Sequence, residues 1–138
     1  MFYRLYNRKD LRVVEKRKSV RFVVSDNAFI ALKNGAAEVG PIKDISKSGT
    51  SFEYICENDV GQELRQNLDI FIFGNAFKLP DIVCEVVYDY PLTKSNDKDP
   101  SLTWNVSRRC GVQFIRLDKD QREQLLYFIA NYNEGLAL

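Results

Sequence analysis

The sequence predicts a mainly β protein, an antiparallel barrel of short strands lidded by one C-terminal amphipathic helix. Three features point there: short apolar segments recur between turn-forming residues, one of them alternates with a period near two, and a single capped stretch of helical periodicity follows the last. With 138 residues, 45% of them hydrophobic and 28% charged, the chain can bury one sizeable core and does not fit collagen-like, disordered or membrane-spanning classes.

The elements follow in order. After a basic lead, "NAFIALKN" reads as a first strand, "EVGPIKDIS" as a second and "TSFEYICE" as a third. In the third, Phe52, Tyr54 and Cys56 alternate with Ser51, Glu53, Ile55 and Glu57, Ile55 being the imperfect position. "LDIFIF" and "DIVCEVVYDY" continue the series across a "GNAF" turn, and "SRRCGVQFIRL" is the closing strand. Between the last two, Pro91 to Ser101 is polar and bounded by prolines, so an exposed loop is expected. In "DKDQREQLLYFIANY", Asp118 is the expected N-cap, answered by Gln121 in a capping box, and Leu125, Phe128, Ile129 and Tyr132 form the stripe that covers the barrel.

Composition narrows the chemistry. There is no histidine, so the commonest general base and nucleophile activator is missing and no enzyme is expected. Three cysteines, Cys56, Cys84 and Cys110, are odd in number and widely spaced, which favours reduced, buried thiols over a disulfide framework or a metal site. The N-terminus mixes aromatics with charges and lacks a signal-like apolar run, so a cytoplasmic protein without a membrane span is expected. The net charge of +1 hides an asymmetry: residues 1–21 hold eight cations against two acids, and the remainder is acidic. Such a split points to an anionic partner for the leading segment or to its docking on the acidic body.

Two short motifs carry candidate chemistry. Within "VEKRKSVRFVV", Arg17 and Arg21 are four residues apart, a spacing that brings both to one side in a helix or an extended chain. Two guanidinium forks suit phosphate oxygens or a guanine edge, although a bare R-x-x-x-R also fits a solvated lead-in. In "DISKSG", Asp44 and Ser46 at the end of a strand would project from one face, a carboxylate and a hydroxyl together, while Gly49 would permit a positive φ or the close approach of a ring. An ionised carboxylate accepts hydrogen bonds only, which matches guanine's N1–H and N2–H₂ donors. The same six residues also fit a plain hairpin turn.

Together, and followed by "CGVQFIRLDKDQREQLLYFI", these motifs resemble the PilZ family of bacterial cyclic di-GMP receptors. Arg17 and Arg21 match its R-x-x-x-R, Asp44, Ser46 and Gly49 its (D/N)-x-S-x-x-G, and Gly111, Val112 and Phe114 its closing G-V-x-F strand. The likeness covers about Glu15 to Glu57 and Cys110 to Tyr132. It implies a six-stranded antiparallel (split) β-barrel with a C-terminal helix as a single domain: residues 1–24 as a basic switch segment, 25–138 as barrel and helix.

The resemblance further implies that Arg17 and Arg21 clamp the ligand, that Asp44 and Ser46 receive a guanine, and that Gly49 is the close-approach position. Lys16 stands where many relatives carry another arginine, and Lys18 and Lys47 add nearby charge. Arg108 and Arg109 on the closing strand face either the ligand or water. No cofactor is implied beyond cyclic di-GMP itself. Ligand binding would offset the repulsion among Lys16, Arg17, Lys18 and Arg21 and reposition the leading residues, with Phe2, Tyr3, Leu5 and Tyr6 as a docking surface for a protein partner or as permanent packing on the barrel. Alternatives from other classes are a PilZ-like interaction module that binds no nucleotide and a barrel that binds single-stranded nucleic acid. Nucleic acid is not the expected partner, and oligomeric state is left open.

Overall fold

The computed structural model describes residues 19–34, 38–56, 63–92 and 106–137. Along them run β1 (Phe22–Val24), β2 (Ala28–Leu32), β3 (Val39–Ile45), β4 (Gly49–Cys56), β5 (Arg65–Ile72), β6 (Lys78–Pro91), β7 (Val106–Arg116), α1 (Lys119–Tyr132) and β8 (Asn133–Leu136). The strands hydrogen-bond in the order β2-β5-β6-β7-β4-β3, and β3 also pairs with β2, so six antiparallel strands close into the expected barrel. Closure removes the exposed edges that such short strands would otherwise present. Lys16, Arg17, Lys18 and the aromatic leading residues lie outside the described residues, as does most of the expected Pro91–Ser101 loop.

Alternation fills the barrel. Ala28, Ile30 and Leu32 from β2, Leu68 and Ile70 from β5, and Phe52 from β4 are fully buried, while the imperfect position Ile55 faces outward at 61% exposure. All three cysteines are buried. Burial pushes the Cys84 and Cys110 thiols up to about 12, so both stay protonated at neutral pH.

Helix α1 begins as its sequence requires. Asp118 Oδ1 accepts from Gln121 N–H at 2.8 Å and Gln121 Oε1 accepts from Asp118 N–H at 3.1 Å, the reciprocal box that satisfies two otherwise orphaned donors. Leu125 and Phe128 are buried, and Phe128 stacks on Phe77 at 5.3 Å. Each such side chain contributes about 1.5–3 kcal/mol by leaving water, which is what holds a 14-residue helix on the barrel.

Two strands were not expected. Phe22–Val24, assigned by sequence to the leading segment, form β1 beside β3 with Phe22 opposite Ile45. The four residues after the helix form β8, which pairs with β1 and has Gly135 at φ +129°. All four β8 residues are exposed, so no apolar alternation marks them; backbone pairing alone makes the strand. It matters for the site, because Ala137 N–H donates to the Arg21 carbonyl at 2.9 Å and fixes the backbone there.

Candidate functional site

The pairing of Phe22 with Ile45 brings Arg21 level with the end of β3. There Arg21 Nη1 donates to Asp44 Oδ1 at 2.6 Å, joining two residues 23 positions apart in sequence. Their side chains keep 22% and 15% of their exposure, so the pair remains in contact with water. A partly solvated pair of this kind is worth about 1 kcal/mol, whereas hydrogen bonds to charged groups reach about 1.5–3 kcal/mol. Both groups can therefore trade one another for a ligand that offers each a stronger partner.

Ser46 and Gly49 belong to the β3–β4 turn beside this pair. Ser46 is 1% exposed, and its Oγ accepts from Ser48 N–H at 3.1 Å and Gly49 N–H at 3.2 Å. The hydroxyl thus shapes the β3–β4 turn, as serine commonly does through its own backbone neighbours. Gly49 does not have a positive φ. Its constraint is proximity: a Cβ there would sit 2.3 Å from the Val112 carbonyl oxygen, so only glycine lets β4 lie this close to β7. Lys47 sits exposed at the tip of the same turn. Thr50 Oγ1 donates to the Asp44 carbonyl at 2.7 Å and ties the turn to the carboxylate's own backbone.

The adjacent arginines of β7, Arg108 and Arg109, separate sharply. Arg108, which sequence left free to face ligand or water, turns inward: it is 6% exposed and its Nε donates to Asp89 Oδ1 at 2.8 Å. Arg109 faces outward beside Asp44, with Nη2 3.9 Å from Asp44 Oδ2 and 3.3 Å from Ser51 Oγ, and Nη1 3.5 Å from Glu53 Oε2. Its Nε is buried without a hydrogen-bond partner. Arg109 therefore joins Arg21 around one carboxylate, giving the site two guanidiniums among the described residues.

Beside this cluster lies an open cleft of about 470 Å³, lined by Ser19, Arg21, Gly49, Tyr88, Gly111 and Gln113 among others. Its size suits a small-molecule ligand. Strand register explains what meets there: Tyr88 on β6 pairs with Gly111 on β7, Gly111 with Ser51 on β4, and Ser51 with Asp44 on β3, so one row of residues crosses four strands. Sequence reasoning missed Tyr88, because strict alternation from Ile82, Cys84 and Val86 sends it into the core. A bulge at Val87 reverses the parity, and Tyr88 and Tyr90 emerge on the outer face while Asp89 turns in. Among the described residues no group of three or more His, Cys, Asp or Glu is placed to hold a metal ion, and no helix is long and apolar enough to cross a membrane.

Comparison with known proteins agrees with this fold. The family model of the PilZ domain matches residues 15–131. Among solved structures, the PilZ domain of YcgR from Escherichia coli, determined with c-di-GMP, superposes with a TM-score of 0.56 at 14% identity, over 84% of this chain and 90% of that one. The c-di-GMP complex of MrkH from K. pneumoniae gives 0.54 at 21% identity over 86% of this chain and 54% of MrkH, so the chain spans about half the length of that protein. These likenesses establish the fold. No curated protein matches the sequence.

Proposed function

The chain belongs to the PilZ domain family, and from that premise we propose that it is a receptor for cyclic di-GMP rather than an enzyme, binding the dinucleotide on the outer face of β3, β4, β7 and β6. The observation that carries this reading is the contact of Arg21 with Asp44 at the rim of the cleft, which joins members of both motifs. In the complex Arg21 leaves Asp44 for a phosphate or guanine edge, and the released carboxylate accepts from a guanine's N1–H and N2–H₂. Arg109 supplies a second cation at Asp44. Arg17 is its counterpart on the leading segment, with Lys16 and Lys18 adding charge and Lys47 adding it from the turn. Ser46 and Gly49 contribute through the turn that they shape. The ligand-bound state of the YcgR and MrkH structures supports the choice of nucleotide.

The signalling step rests on electrostatics. Four cations within residues 16–21 repel one another, and a dianionic ligand offsets that repulsion. Binding then repositions the leading residues, which a protein partner reads in the cytoplasm. The test is a calorimetric titration with cyclic di-GMP. Wild-type protein is expected to bind saturably, and Arg21→Ala to lose about 1.5–3 kcal/mol, the worth of a charged hydrogen bond. Absence of binding by wild-type protein at high micromolar ligand would overturn the proposal, and binding that follows oligonucleotide length would favour a nucleic-acid role instead.

A further inference from the structure

We propose that Glu53 is a competitor of the ligand built into the sheet, a counter-ion that holds Arg109 and so sets how much nucleotide is needed to draw that arginine away; this rests on the receptor reading above. The ion pairs of the outer face form a chain of alternating sign: Arg21 to Asp44 at 2.6 Å, Asp44 to Arg109 at 3.9 Å and Arg109 to Glu53 at 3.5 Å. Glu53 is its last member. Register places it there, because Glu53 on β4 lies directly opposite Arg109 on β7, while Ser51, two residues earlier, opposes both Asp44 and Gly111. Glu53 therefore stands one row, or about 7 Å, beyond the row that crosses the cleft. From that outer row the Arg109 guanidinium spans the gap, with Nη1 toward Glu53 and Nη2 toward Asp44 and Ser51.

The two acids stand differently toward a ligand. Asp44, once released, accepts from a guanine, whereas Glu53, a row away, gains nothing from the nucleotide and only competes for Arg109. Charge makes the competition matter. Arg21, Arg109, Asp44 and Glu53 are two cations and two carboxylates, so together they offer a dianion no net attraction; without Glu53 the remaining three carry one positive charge. The outer pair is also loose enough to exchange. Arg109 and Glu53 keep 25% and 31% of their side-chain exposure, and a partly solvated pair 3.5 Å apart is weaker than charged hydrogen bonds to a phosphate. Arg109 thus moves to the ligand against a hold that Glu53 sets, and the carboxylate it leaves behind is taken up by water.

The experiment titrates cyclic di-GMP into wild type, Glu53→Gln, Arg109→Ala and the Arg109→Ala/Glu53→Gln double variant, each at low and at high salt. Glu53→Gln, which keeps the shape of the side chain and removes its charge, is expected to bind about three- to fivefold more tightly than wild type at low salt, the range for one partly solvated ion pair. Screening is expected to shrink that gain at high salt, which a change in packing alone would not do. The double variant decides the route. If Glu53 acts through Arg109, the gain disappears in the Arg109→Ala background. A gain of equal size there, or Glu53→Gln binding no more tightly than wild type, overturns the counter-ion and leaves the receptor standing. Absence of wild-type binding overturns the receptor, and this inference with it.

Discussion

On β7, Arg108 lies inside the barrel at 6% exposure while Arg109, one residue on, keeps a quarter of its side chain in solvent and faces Asp44. The inner arginine is held from several sides: its Nε donates to Asp89 Oδ1 at 2.8 Å, its Nη2 donates to the Asp89 carbonyl at 3.0 Å, and Tyr54 Oη donates to the same carboxylate at 2.9 Å. The outer one has looser partners at 3.3 to 3.9 Å and an unsatisfied Nε. Identical side chains are thus held very differently. A buried charge must be fully paired to be tolerated, whereas a charge meant for a ligand works best when its internal partners are weak enough to leave.

The comparison breaks most visibly at the inner pair. Arg108→Ala strands the Asp89 carboxylate in the barrel and is expected to lower unfolding free energy by about 3–5 kcal/mol, measured by chemical denaturation. Replacing both partners together, as Arg108→Met with Asp89→Leu, removes the stranded charge and is expected to recover most of that loss. If the single and double variants were equally unstable, the ion pair would not be the source of the effect. Arg109→Ala sharpens the contrast from the other side. Its cost in stability is expected to stay below about 1 kcal/mol, as for other partly solvated pairs, while cyclic di-GMP affinity falls by about tenfold. An unchanged affinity would confine Arg109 to holding Asp44 and Glu53.

Much of this architecture is legible in sequence, for identifiable reasons. Phe52, Tyr54 and Cys56 reveal β4 because burial on one face imposes a period of two, and Asp118 with Gln121 reveals the start of α1 because the capping chemistry is local. The conjunction of Arg21 with Asp44 could be anticipated only through the family's tandem motifs, since nothing in spacing relates residues 23 apart. Three features were hidden. The bulge at Val87 depends on pairing with β7, so nothing within "EVVYDY" marks it, and strict alternation would turn the two tyrosines inward. The local role of Ser46 is the second, since a short D-x-S-x-x-G run does not say which backbone N–H groups its hydroxyl will accept from, here those of Ser48 and Gly49. Strand β8 has no apolar pattern at all and exists through its pairing with β1.

The claim underlying the whole account is that the outer face of β3, β4, β7 and β6 is where the nucleotide sits. Two-dimensional NMR of isotope-labelled protein titrated with cyclic di-GMP reads this directly. Saturable shifts are expected at Asp44, Ser48, Gly49, Arg109 and Gly111, with little change at Phe29 and Phe71, which stack on one another at 5.8 Å on neighbouring β2 and β5. Shifts gathered at Phe29 and Phe71 with Asp44 and Gly111 unmoved would contradict it.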